Sequence, residues 1–177
     1  MVYKIRQAIP SDLVNIQTFY QESLPLIDPI QTSWILGVYP TVADAKLAIS
    51  NEELFICLGE HNVIVGSMIL NNKSDTEYQH LMWAQSDAHA THLIVHTLIS
   101  HPKRLKKGIG SQMLNFARKY AAEINAFSIR LDTLVENIPA QNLYKEKGFS
   151  YIERHNLTSF DGNGNGIDDC VFYELKI

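Results

Sequence analysis

Residues 91–113, "THLIVHTLISHPKRLKKGIGSQM", constrain the fold more than any other stretch. The first half is β-branched and apolar, so it reads as a buried strand that Pro102 ends. The second half passes through Gly-Ile-Gly at 108–110 and opens a helix over about residues 109–124. Met113, Leu114, Ala117, Tyr120, Ala121 and Ile124 give that helix its apolar stripe. A strand feeding a helix through a glycine turn is an α/β arrangement, and the rest of the chain agrees with it.

"YKIRQA" near the N-terminus alternates and reads as a strand. A helix follows over "PSDLVNIQTFYQESL", with Ser11 or Asp12 as its cap. After a stretch broken by Pro25, Pro29 and Pro40, "TVADAKLAISN" reads as a second helix capped by Thr41. "ELFICLGE" and "NVIVGSMILNN" are two strands of a hairpin, turning near residues 60–62. "KSDTEYQHLMWAQSDA" is polar and weakly patterned, and reads as loop. Beyond the glycine helix come a strand, "FSIRLDTLV", and a compact helix, "NIPAQNLYKEKG". Asn137 is the N-cap of that helix, Pro139 lies in its first turn and Gly148 stops it. "FSYIERHNL" and "DCVFYELKI" are the last strands, joined by "TSFDGNGNGID". The order β-α-α-β-β-β-α-β-α-β-β predicts one α/β domain over residues 1–177, built on a single mixed, mostly antiparallel sheet flanked by helices.

The basic cluster before the glycines needs an explanation. Lys103, Arg104, Lys106 and Lys107 stand together in a chain whose net charge is −4. No acidic residue occurs from 101 to 122. Helix N-termini favour negative charge, so cations there cost a few tenths of a kcal/mol each, about 0.3 or more. A bound anion reverses the sign. Free N–H groups of a first helical turn bind phosphate, and glycine lets the backbone come close. The dinucleotide fingerprint fails, because position 113 is Met rather than Gly. The P-loop fails as well, because no Gly-Lys-Ser/Thr closes the turn. A plain tight turn with a solvated basic face is the alternative.

Other classes recede on composition. An acidic chain does not suit general nucleic-acid binding. No apolar run approaches the roughly 18 residues needed to span a membrane, and no signal-peptide pattern opens the chain. Two cysteines, Cys57 and Cys170, make neither a disulfide framework nor a zinc site. The expectation is a cytoplasmic protein without a metal.

Two segments carry a resemblance. "LISHPKRLKKGIGSQML" is similar to the acetyl-coenzyme-A motif of the GCN5-related N-acetyltransferases, Arg/Gln-x-x-Gly-x-Gly/Ala after a strand. Pro102, Gly108 and Gly110 match, whereas Leu105 stands at the Arg/Gln position and Ser100 where valine is usual. "NIPAQNLYKEKGF" resembles the family's Asn-x-x-Ala-x-x-x-Tyr-x-x-x-Gly-Phe, through Asn137, Ala140, Tyr144, Gly148 and Phe149. A helix and a strand separate the two motifs, as the family requires. The resemblance covers about residues 93–153.

That resemblance implies an acyl-CoA N-acyltransferase fold and transfer of an acetyl group from acetyl-CoA to a primary amine of a small molecule or protein. It implies that the backbone of Leu98, Ile99 and Ser100 pairs with the pantetheine arm. It implies that Lys106, Lys107, Gly108, Ile109, Gly110 and Ser111 cradle the pyrophosphate, and that Tyr144 protonates the leaving thiolate. A phenol near pKa 10 donates to a thiolate near 8.5 at modest cost. A backbone N–H at the end of "HTLIS" is the natural donor to the developing oxyanion. Asn137 contacts the cofactor, caps its helix, or does both. His96, Glu136, Glu77, His80 and His89 are equivalent as candidate general bases. A non-catalytic acyl-CoA-binding module on the same fold is the alternative function.

Weaker signals complete the reading. His89, His92 and His96 would share a helical face, but their segment is strand. "DGNGNGIDD" begins like a calcium loop, yet Phe172 stands where the bidentate Glu belongs. Trp34, Tyr78 and Trp83 are candidates for an acceptor pocket, for core, or for a homodimer face.

Overall fold

The structure is a computed structural model, and it describes residues 3–84, 90–104, 107–159 and 166–177. Seven strands form one mixed sheet in the order β1-β2-β3-β4-β5-β7-β6. They are β1 Lys4–Gln7, β2 Leu54–Leu58, β3 Ile64–Asn71, β4 His92–Ser100, β5 Ser128–Leu134, β6 Ser150–Ser159 and β7 Gly166–Lys176. Four helices accompany them: α1 Leu13–Ser23, α2 Val42–Ser50, α3 Ile109–Glu123 and α4 Ile138–Glu146. The element order is the one the sequence predicts. Among the described residues, no helix is long and apolar enough to cross a membrane.

The chain forms two compact units, the first of Met1–Ile27, Trp34–Leu70 and His96–Phe116. Here β1, β2 and β3 pair antiparallel, and β2 is buried on both faces. Ile16, Phe19 and Tyr20 of α1 and Ala45, Ala48 and Ile49 of α2 pack with Leu54, Ile56 and Ile99. Thr41 caps α2 as expected, accepting the Asp44 N–H at 3.3 Å while Asp44 accepts the Thr41 N–H at 2.7 Å. The cap expected for α1 is not made. Asp12 instead accepts the Ile9 N–H at 2.8 Å and takes a forked ion pair from Arg6 at 2.6 and 2.8 Å. A forked guanidinium outcompetes a single helical N–H for a carboxylate. The pairing holds the Asp12 carboxyl below its usual range.

The second unit comprises Asp28–Ser33, Asn71–Val95 and Ala117–Ile177. In it, β5 pairs antiparallel with β7 over its full length, and β7 pairs antiparallel with β6. The start of β4 runs parallel to β5, with His92–Ile94 opposite Ser128–Arg130. Tyr78, Ile94, Leu157, Cys170 and Phe172 form the core, with Trp83 packed against it. Tyr78 and Trp83 are therefore core residues, as Trp34 is part of the first unit's packing. Glu174 is buried and accepts hydrogen bonds from Ser128 at 2.7 Å and Arg130 at 2.8 Å. The Arg130 guanidinium lies 4.3 Å from the Trp83 ring centroid. β7 starts at Gly166, earlier than the pattern suggested, and the remainder of the calcium-like segment, 161–165, lies outside the described residues.

Candidate active site

Strand β4 departs from regularity at one residue. After the buried run of Leu93, Ile94 and Val95 its burial alternates as far as Ser100, yet Thr97 within that stretch has a φ of +51°. A β-branched residue in the left-handed region is an outlier that costs about 1–3 kcal/mol. The Tyr39 hydroxyl shares a 2.6 Å hydrogen bond with Thr97 Oγ1. Beyond the kink, Ile99 is buried while Leu98 and Ser100 are half-buried. The His101 N–H then bonds the Val65 carbonyl at 2.9 Å, tying the strand's exit to β3. Pro102 begins a short 3-10 turn, as expected of a strand stop.

The start of α3 is built on two glycines, one just before the helix and one beneath it. Gly108 has φ +76° and accepts the Gln112 N–H at 2.9 Å, the first helical bond. The N–H groups through Ser111 precede that bond and have no helical acceptor of their own. No acidic residue lies in the first turn. Lys107, Lys103 and Arg104 are exposed, while Leu105 and Lys106 lie outside the described residues. A Cβ on Gly108 would meet nothing within 4 Å, so its left-handed backbone is what requires glycine. Gly66 of β3 is different. A Cβ there would lie 2.8 Å from both Ile109 and Met113 and 3.0 Å from the Ile99 carbonyl. The missing side chain lets the first turn of α3 seat on β3 and β4. Of the predicted stripe, Met113, Leu114, Ala117 and Ala121 are buried and Tyr120 is half-buried, while Ile124, just past the last helical residue, is 39% exposed.

Helix α4 is specified at both ends by the second motif. Asn137 Oδ1 accepts the Ala140 N–H at 3.2 Å, which is the N-cap. Its Nδ2 donates to the Gln31 carbonyl and to Thr133 Oγ1, each at 3.0 Å. Both amide hydrogens are therefore engaged, and only a lone pair on Oδ1 is left for a ligand. At the other end, the Phe149 N–H bonds the Tyr144 carbonyl and the Gly148 N–H bonds the Lys145 carbonyl, both at 3.0 Å. Gly148 takes φ +86°. This is a Schellman stop, and its hydrophobic contact is the Tyr144–Phe149 ring pair at 6.0 Å. The tyrosine and the Gly-Phe of the motif thus belong to one local device. Tyr144 is buried, edge-on to Tyr173 at 5.6 Å. Burial, and secondarily the charge of Asp132, push its hydroxyl well above an ordinary phenol. It holds its proton throughout the neutral range.

The predicted residues fall into two sets. Leu98, Ile99, Ser100, Lys107, Gly108, Ile109, Gly110 and Ser111 belong to the first unit; Asn137 and Tyr144 belong to the second. Among the candidate bases, His96 is half-buried on β4, and Glu136 and His80 are exposed. Glu77 accepts the Thr158 N–H at 3.1 Å, and hydrogen bonding from Thr158 holds its carboxyl below the usual range. That makes it a weaker base. His89 lies outside the described residues. His92 Nδ1 is 2.8 Å from Ser128 Oγ and so serves the second unit's polar network. Among the described residues, no three His, Cys, Asp or Glu side chains cluster to hold a metal. Sequence reasoning missed Thr97 and Tyr39. No local signal marks them, since threonine in a strand argues for regular β structure.

Comparison with known proteins places this architecture. Residues 14–149 match the acetyltransferase (GNAT) family. Over 57 residues the chain is 40% identical to streptothricin acetyltransferase of Escherichia coli, a match spanning 32% of each protein. Among solved structures, a GNAT-family acetyltransferase of Streptococcus agalactiae 2603 superposes with a TM-score of 0.77 at 16% identity, covering 99% of this chain and 95% of that one. A GNAT-family acetyltransferase of Listeria monocytogenes 4b F2365 gives 0.74 at 20% identity, covering 99% and 95%. Arabidopsis thaliana NAA60 in complex with acetyl-CoA gives 0.69 at 16%, covering 99% and 100%. With its family match running from α1 through the Gly-Phe stop of α4, the chain belongs to the GNAT family of acetyltransferases.

Proposed function

We propose that the chain is an acetyl-CoA-dependent N-acetyltransferase, moving the acetyl group to a primary amine by direct attack in a ternary complex. The observation that carries this reading is the junction of β4 and α3. There a kinked strand runs into an acid-free helix start whose first N–H groups precede the Gly108–Gln112 bond. Such a terminus suits a pyrophosphate. In this reading the backbone of Leu98, Ile99 and Ser100 takes the pantetheine arm. Gly108, Ile109, Gly110 and Ser111, with Lys106 and Lys107, hold the pyrophosphate. The left-handed Thr97 re-aims the backbone after it, as a bulge does, and a backbone N–H at the end of the strand meets the thioester oxygen.

Tyr144 is assigned as the proton donor to the departing thiolate. Its raised pKa keeps it protonated at neutral pH, makes it a weaker acid than a free phenol, and ties its loss of function to pH above the ordinary phenol value of about 10. Asn137 serves this reading by fixing the start of α4. The local likeness to streptothricin acetyltransferase favours a small-molecule amine over a protein one. The protein would act in the cytoplasm.

The test is a panel of small amines and peptide N-termini, following CoA release from acetyl-CoA. At least one amine should accelerate release, and Tyr144→Phe should lower turnover by roughly 10²-fold with acetyl-CoA affinity nearly unchanged. Tight acetyl-CoA binding with no release for any amine would favour the non-catalytic acyl-CoA-binding module instead. Wild-type turnover in Tyr144→Phe would remove the assignment of that residue.

A further inference from the structure

The Tyr39–Thr97 hydrogen bond joins two unusual pieces of backbone, and the proposed reaction does not yet account for it. On one side is the left-handed Thr97, directly before the segment assigned to the pantetheine arm. On the other is a small reverse turn, in which Ile35 and Tyr39 form an isolated bridge. Its carbonyl, Ile35 O, accepts the N–H groups of Val38 at 2.9 Å and Tyr39 at 3.0 Å. Gly37 supplies the positive φ, +81°. The turn presents Leu36 and Val38 to solvent. Its phenol reaches across 58 residues of sequence to a threonine that is itself nearly buried. A β-branched residue does not hold a left-handed conformation unaided, so some tertiary contact must fix it. The short hydroxyl–hydroxyl bond is placed to do so.

We infer that Tyr39 is a positioning residue for acetyl transfer: its hydroxyl clamps the kink at Thr97, and so sets the backbone that meets the thioester. The inference rests on the acetyltransferase reading above. It also joins the 35–39 turn, with its exposed Leu36 and Val38, to the reacting end of β4.

The experiment uses the full chain, with the best amine from the panel. Tyr39→Phe removes only the hydroxyl, and Thr97→Val removes only Oγ1 while keeping the branched shape. Each should lower kcat by about tenfold, with the acetyl-CoA dissociation constant nearly unchanged and the thermal midpoint lowered by only about 2–4 °C, the cost of one hydrogen bond. The double variant should be no slower than either single one, because both delete the same bond. Thr97→Ser restores an oxygen and should recover most of the turnover lost in Thr97→Val. A kcat for Tyr39→Phe within twofold of wild type, or additive losses in the double variant, would overturn the clamp while leaving the acetyltransferase reading intact. A fall in kcat that merely tracks a lowered thermal midpoint would overturn it too. Failure of the wild-type protein to bind acetyl-CoA or to release CoA would instead overturn the reading itself, and the clamp with it.

Discussion

Asn137 holds three hydrogen bonds at once, and each predicts a different consequence of mutation. Oδ1 caps α4 through the Ala140 N–H, while Nδ2 bridges the Gln31 carbonyl and Thr133 Oγ1. Asn137→Ala removes all three and should destabilise the fold by about 1–2 kcal/mol. Asn137→Asp keeps the capping oxygen and adds favourable charge at a helix start, but it cannot donate to the Gln31 carbonyl. Its stability should fall between alanine and wild type. Urea unfolding of the three proteins, beside acetyl-CoA titration, separates the roles. If Asn137 acts as a cap, stability follows that order while affinity changes little. An alanine variant of normal stability with weakened binding would make it a cofactor ligand instead.

At the scale of elements, the seat of α3 depends on Gly66. The close approach of Ile109, Met113 and the Ile99 carbonyl leaves no room for a methyl group. Two of those neighbours are side chains that can shift, and the third is backbone. Gly66→Ala should therefore cost about 1–3 kcal/mol as overpacking. It should also weaken acetyl-CoA binding, because Ile109 is the first residue of the helix proposed to hold the pyrophosphate. Calorimetric titration at a temperature where the variant is fully folded checks this, and unchanged affinity would detach the packing of Gly66 from the ligand. The contrast between α4 and β4 explains what the sequence made legible. Everything that starts and stops α4 lies within residues 137–149, so cap, proline, tyrosine, glycine and phenylalanine could be read as one helix. The kink in β4 is held from Tyr39, far away in sequence, and Thr97 carries a side chain that argues for the opposite conformation. The misplaced cap at Asp12 has the same cause: a pairing with Arg6 that helix-capping preferences do not include. Local devices are legible, whereas conformations imposed by tertiary partners are not.

Across the described residues, the core holds several weak acids that folding keeps protonated. Burial pushes the Cys57 thiol up to about 11 and the Tyr20 hydroxyl up to about 12. Cys170 and Tyr144 move up mainly through burial and then through the charge of Asp132. Tyr78, which donates to Asp132 at 2.5 Å, is raised by the same two influences. In the unfolded chain these thiols ionise near 8.5 and the phenols near 10, as rough reference values. Above those values the unfolded state has released protons that the folded state retains. The unfolded chain then binds fewer protons, so stability falls as pH rises. Their contribution is fully present at neutral pH and is lost progressively from about pH 9 upward, thiols first and phenols later. The thermal midpoint should therefore be level between about pH 6 and 8 and decline above about 9. Replacing Cys57 and Cys170 together by alanine should move the onset toward about pH 10, where the phenols take over. This decline overlaps the range in which amine acceptors lose their protons and react faster. A loss of activity in alkali then has two candidate sources, Tyr144 ionising or the fold opening. Circular dichroism recorded beside CoA release separates them. If unfolding is the cause, both signals fall together and the cysteine-free variant stays active at higher pH; a midpoint still level at about pH 10.5 would refute the buried-acid account.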